Sequence, residues 1–137
     1  MANANASCLC GHVKIETVVD NKSYHACHCS ICRRISGGPM MAVHVGSQIK
    51  ISHQNSISSY SSSDWMERGF CSNCGTHLYV KMKQASDYYV PVWLFEDSDK
   101  FDFNLQIFID DKPNSYCFKD STLEMTGAEV FEKFSQS

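Results

Sequence analysis

The sequence predicts a mainly β domain pinned by metal, and three observations carry that expectation. Short stretches rich in β-formers recur along most of the chain. Only two stretches have helical character, and eight cysteines fall largely into clusters with metal-ligand spacing. At 137 residues the chain suits one domain, 1–137, with no internal repeat or boundary. Such a domain buries roughly two thirds of its unfolded surface, enough for a core of its own.

The elements follow in order. His12 to Val19 alternates, with Val13, Ile15, Thr17 and Val19 on one face. Met40 to Val45, Ile49 to Ser52, Ile57 to Ser61 and Leu78 to Met82 are short strands. Tyr88 to Phe95 is aromatic and apolar, but Pro91 confines it to a sheet edge or an irregular segment. Leu105 to Ile109 and Ser115 to Phe118 flank a turn-forming run through Pro113 and read as a hairpin. A short helix starts near Ser30, after the second cysteine cluster, and stops at Gly37-Gly38-Pro39. A C-terminal helix opens on the capping box Thr126 to Glu129, and its stripe of Val130, Phe131 and Phe134 is expected to pack into the core.

Charge and hydropathy remove several function classes. The net charge is −3 and the twelve Lys and Arg are scattered, so nothing offers phosphates a basic stripe. The N-terminus has neither a basic nor an apolar segment of the signal-peptide kind. Tyr88 to Phe95, the longest apolar run, is far too short for a membrane span. The expectation is a cytoplasmic protein with no membrane and no nucleic-acid partner. Its thiols would stay reduced, and clustered reduced cysteines hold metal more often than they form bridges.

The cysteines sort into three groups and a singleton, Cys117, which in its predicted strand looks like a buried small hydrophobe. Cys71-Ser-Asn-Cys74-Gly75 has the form of a zinc knuckle, in which one tight turn aims two sulfurs at one ion and the glycine supplies a left-handed backbone. It needs a second pair. Cys8-Leu-Cys10 is the preferred complement and would close a structural Cys₄ site with Cys71 and Cys74; the competitor gives the knuckle to the next cluster instead.

That cluster is Cys27-His28-Cys29-Ser-Ile-Cys32. Three protein ligands with a fourth position open is the pattern of catalytic zinc. Three thiolates make the ion a weak Lewis acid towards carbonyls, yet still able to take a fourth, exogenous thiolate and lower its thiol pKa. His28, His25, Cys117 or a more distant histidine are the alternatives that would close the site from within. Arg33 and Arg34, directly after the cluster, are either a solvated helix start or cations that offset thiolate charge or grip a substrate carboxylate.

With Ser7 to Val13, Cys27 to Arg34 with Gly37, and Phe70 to Thr76 in this order, the sequence resembles the glutathione-dependent formaldehyde-activating enzyme family, which includes centromere protein V-like proteins. The segment from Ile109 to Asn114 resembles the family's final hairpin, so the likeness runs from about residue 7 to 120. The resemblance implies a β-tent of stacked antiparallel sheets pinned by two Zn²⁺ ions. One would be structural, on Cys8, Cys10, Cys71 and Cys74, and the second would sit on Cys27, Cys29 and Cys32. It also implies a zinc-dependent carbon–sulfur lyase or synthase that joins glutathione to formaldehyde as S-(hydroxymethyl)glutathione. The alternative from another class is a zinc-stabilised protein-interaction module with two structural metal sites and no catalysis.

Overall fold

The computed structural model describes residues 2–135. Two sheets form its framework. The smaller joins β1 (Ala2–Ser7), β2 (Lys14–Val19) and β5 (Ile49–Ile51), all antiparallel. The larger comprises β3 (Ser23–Cys27), β4 (Met40–Gly46), β6 (Ile57–Ser61), β7 (Met66–Cys71), β8 (His77–Met82), β9 (Asp87–Pro91), β10 (Asp102–Ile107) and β11 (Leu123–Met125). Its order is β11-β10-β3-β4-β9-β8-β7-β6. The run from β3 to β6 is antiparallel, whereas β10 lies parallel to both β3 and β11. No helix among the described residues is long and apolar enough to cross a membrane.

Period-two alternation explains the layering. In β2, Ile15, Thr17 and Val19 point inward while Lys14 and Glu16 face solvent. In β1 it is Ala4 and Ala6 that are buried and Asn3 and Asn5 that are exposed. These inner faces meet Val43, Val45, Leu78 and Val90 of the large sheet in one core. Ile15 and Val13 are completely buried, and each such side chain stabilises the fold by about 1.5–3 kcal/mol. The intervening residues of the large sheet face the other way. Met40, Ala42 and Val80 form a second cluster with Cys27 and Cys32, flanked by Met66, Tyr89 and Phe108.

Both expected helices are present. α1 (Ser30–Ser36) ends at Gly37, whose φ of 74° is left-handed. α2 (Gly127–Ser135) opens on the anticipated capping box: Glu129 N–H donates to Thr126 Oγ1 at 3.2 Å, and Thr126 N–H donates to Glu129 Oε1 at 2.9 Å.

Four expectations need correction. Pro91 does not confine its segment to a sheet edge: β9 lies between β4 and β8, with Pro91 as its last residue. Ser115–Phe118 is not a strand. β10 instead finds its partners in β3 and β11, and the following backbone turns away at Phe108, whose φ is 54°. The 115–118 segment is tied down by side chains, with Lys112 Nζ donating to the Tyr116 carbonyl at 2.6 Å. Cys117 is consequently exposed rather than buried. The α2 stripe is only partly core: Val130 is buried, but Phe131 is 51% exposed and Phe134 39%.

Candidate metal centre

The first cluster is assembled by two turns facing each other. In one, Gly11 N–H donates to the Cys8 carbonyl at 3.0 Å and Val13 N–H to Cys8 Sγ at 3.3 Å. In the other, Gly75 N–H donates to the Cys71 carbonyl at 2.7 Å, and Gly75 takes the left-handed φ of 80° that its position in the knuckle demands. Leu9 N–H reaches across to Thr76 Oγ1 at 3.1 Å and locks the two turns together.

The result brings Cys8, Cys10, Cys71 and Cys74 together, with all four sulfurs within 4.8 Å of one another. Cys8 and Cys10 Sγ are 3.5 Å apart, and Cys10 and Cys71 Sγ 3.9 Å. A tetrahedral ion with metal–sulfur bonds of about 2.3 Å needs sulfurs about 3.8 Å apart, so the set fits. The Thr76 hydroxyl, 3.1 Å from Cys74 Sγ, is the main cause of that thiol's fall to about 5.

The second cluster lies on the opposite face of the large sheet. Cys27 ends β3, and Cys29 caps α1: its Sγ accepts Cys32 N–H at 3.4 Å, a position where the helix terminus favours thiolate. The sulfurs of Cys27, Cys29 and Cys32 also lie within 4.8 Å of one another. Crowding divides the three. Hydrogen bonds from Cys27 and then Cys32 draw Cys29 down to about 2, while the same contacts and burial push Cys27 up.

His28 does not join them. It is fully buried, its Nε2–H donating to Gln106 Oε1 and its Nδ1 accepting the Tyr116 hydroxyl, both at 2.8 Å. Its backbone is equally engaged: the N–H donates to the Ile107 carbonyl at 3.1 Å, and its carbonyl accepts Arg33 Nε–H at 2.9 Å. His28 is therefore a four-point anchor that sets the directions of the cysteines on either side. His25 stands edge-on to Tyr89, and burial, then the nearby His44, lowers it to about 4. Arg33 is half-buried and Arg34 exposed. Two residues that sequence reasoning did not single out complete the surroundings. Arg68 is 4% exposed, with Nη1 3.6 Å from Cys32 Sγ and 3.9 Å from Met40 Sδ. Gln106 turns its own amide N–H to Thr122 Oγ1 at 3.0 Å and so presents its oxygen to His28. The available signal for Arg68 was its place two residues before Phe70 on the strand entering the knuckle, which puts both on one face.

Two stacked sheets whose four-cysteine and three-cysteine clusters can each hold a metal ion define the class. The chain belongs to the family described as glutathione-dependent formaldehyde-activating enzyme, whose model matches residues 3–111. It is 32% identical over 133 residues to an uncharacterized lyase of Schizosaccharomyces pombe, covering 96% of this chain and 97% of that protein. Its fold is also similar to the crystal structure of a Rhodobacter sphaeroides protein, with a TM-score of 0.59 at 22% identity over 73% of this chain and 99% of the other.

Proposed function

We propose that the protein is a zinc-dependent enzyme of carbon–sulfur bond chemistry, which joins a thiol such as glutathione to a small aldehyde such as formaldehyde and also runs in reverse as a lyase. The observation that carries this reading is the difference between the two clusters. Four sulfurs complete a tetrahedron; three, with His28 bonded elsewhere through both ring nitrogens, leave room for one more ligand. Family membership and the lyase-named relative support it.

In this reading Cys8, Cys10, Cys71 and Cys74 hold a structural zinc, and Cys27, Cys29 and Cys32 hold the second. A zinc ion there would stabilise the substrate thiol as thiolate at neutral pH. The protein's own residues bind and orient. The His28 anchor keeps Cys27 and Cys29 aimed at one point, and Arg34, with the terminal nitrogens of Arg33, offers cations to a substrate carboxylate. The carbon–sulfur bond forms as the carbonyl π bond breaks, and the proton given up by the thiol ends on the carbonyl oxygen. None of the eight cysteines forms a disulfide, and we assign the protein to the cytoplasm, where thiols stay reduced.

The test is cobalt substitution of the reduced protein, following the thiolate-to-cobalt charge-transfer band as glutathione is added. We expect a saturable increase that is lost in Cys29→Ser and kept in Cys117→Ala, followed by turnover with formaldehyde. An unchanged band would mean that the fourth ligand is internal, and the enzyme reading would fall in favour of two structural sites.

A further inference from the structure

The charge around the three-cysteine cluster is unevenly supplied. Arg68 comes from β7 and is almost wholly buried, yet no carboxylate pairs with it among the described residues. Its Nε–H donates to Ser62 Oγ at 3.2 Å, and its Nη1 faces two sulfurs, those of Cys32 and Met40. A guanidinium removed from water without a counter-ion is costly, and groups of this kind are retained where an anion completes them. The anion at hand is the thiolate cluster.

Other cations do not compete for this place. Arg33 Nε is committed to the His28 carbonyl, and Arg34 is exposed. His77 lies opposite Phe70 in the β7–β8 ladder, because Leu78 is bulged out of register and returns His77 to the face that carries Arg68. Both His77 ring nitrogens are buried, with no hydrogen-bond partner among the described residues. Burial, reinforced by Arg68, lowers His77 to about 4 and keeps it neutral. Arg68 thus stands as a fixed positive charge beside Cys32.

We propose that Arg68 is the specificity-determining charge of the three-cysteine site, favouring an anionic sulfur ligand in the fourth position over a neutral one such as imidazole or water. The inference rests on the reading that Cys27, Cys29 and Cys32 hold a divalent metal with an exchangeable fourth position. Three thiolates leave such an ion at −1, and a fourth would take it to −2. A buried cation in contact with one of the sulfurs lowers the free energy of that extra charge and does nothing comparable for a neutral ligand. Arg68 acts through Cys32, as a positioning charge.

The experiment uses the cobalt-loaded full chain and two optical probes, 2-mercaptoethanol, which has no carboxylate, and imidazole. Arg68→Met keeps the apolar stem and removes the charge; we expect 2-mercaptoethanol to bind at least tenfold more weakly, with imidazole changed less than twofold. Arg68→Lys should restore most of the thiol preference. Should Arg68→Met not fold, Arg68→Gln, which retains an N–H for Ser62, carries the same expectation. Equal affinity for 2-mercaptoethanol in wild type and the neutral variant overturns the inference. So does a parallel loss of both ligands, which marks a structural role. If wild type binds neither probe, the exchangeable position itself is refuted, and the inference falls with it.

Discussion

Cys71→Ser and Cys29→Ser should separate the two cysteine clusters, each able to hold a metal ion, by their effect on stability. Cys10 and Cys71 are 61 residues apart in sequence, so an ion on the first cluster closes a long loop between β1–β2 and the β7–β8 turn. Applying the cross-link entropy relation to that loop gives about 4 kcal/mol. Cys27 and Cys32 span about five residues, for which the same relation gives about 2 kcal/mol. The difference of about 2 kcal/mol corresponds to a gap in Tm of roughly 6–10 °C for a domain of this size. Cys71 is also completely buried, so serine there places a hydroxyl in the core, whereas Cys29 is half-buried at the head of α1.

The assay is thermal unfolding of the zinc-loaded proteins by circular dichroism, repeated after chelation. Zinc-loaded Cys71→Ser should melt well below zinc-loaded Cys29→Ser. Most of that gap should close in the chelator, because the loop term needs the ion. A Cys29→Ser variant that melts as low as Cys71→Ser would refute the assignment of one structural and one working site. A gap that persists unchanged after chelation would refute the loop argument and leave only the buried hydroxyl.

Three further outcomes follow from the packing and charge. Gly69→Ala should be destabilising by about 1–3 kcal/mol in chemical denaturation, because its Cβ would stand 2.3 Å from Tyr79 Cζ, in a ring that is 8% exposed and cannot swing out to solvent. His77→Leu should flatten the acid limb of stability. A histidine lowered to about 4 when folded and ordinary when unfolded binds its proton first in the unfolded chain. Wild type should therefore lose up to about 1.4 kcal/mol per pH unit from this group as pH falls from about 6.5 to about 4, and the variant should lack that component in denaturation curves across the range. Thr126→Ala removes the capping box of α2 and should cost about 1 kcal/mol, read from the same curves.

Local features of the fold were legible because local chemistry decides them. Gly37 ends α1, Gly75 turns the knuckle and Thr126 caps α2 with the residues beside them and nothing more. β2 was readable from its alternation, and β6 from the β-formers Ile57 and Tyr60 within a serine-rich run. What escaped depends on distant partners. The Ala/Asn alternation of β1 carries a two-residue period but weak hydrophobicity, and its burial comes from β2 and Phe95. The final hairpin was misread because β10 has strand character without saying which strand it joins. Its partner is β3, with Leu105 opposite His25, far away in sequence. The candidate site divides in the same way. The cysteine spacing announced both clusters, since ligand geometry constrains it. Arg68 and Gln106 act across the sheet on residues dozens of positions away, and beyond the face that Arg68 shares with Phe70 nothing in their own neighbourhoods marks them as buried.

A single strand connects the two centres. Along β7, Arg68 and Cys71 are three residues apart and must point to opposite faces, one towards Cys32 and the other into the main core with Cys8. β7 pairs without interruption with β6, while the irregularity in its other ladder is absorbed by Leu78 of β8. Gly69 sits between the two and leaves room for Tyr79, so the strand is clamped at its midpoint. Holding Cys71 in the four-cysteine cluster therefore also fixes the register that places Arg68 against Cys32. Loss of an ion bound to the four-cysteine cluster should accordingly be felt at the three-cysteine cluster as a changed surrounding charge, even where Cys27, Cys29 and Cys32 are untouched. Selective removal of the first ion, followed by a thiol titration of the second, would show a weakened thiol preference if this coupling operates. An unchanged preference would show that each face of the sheet keeps its own order.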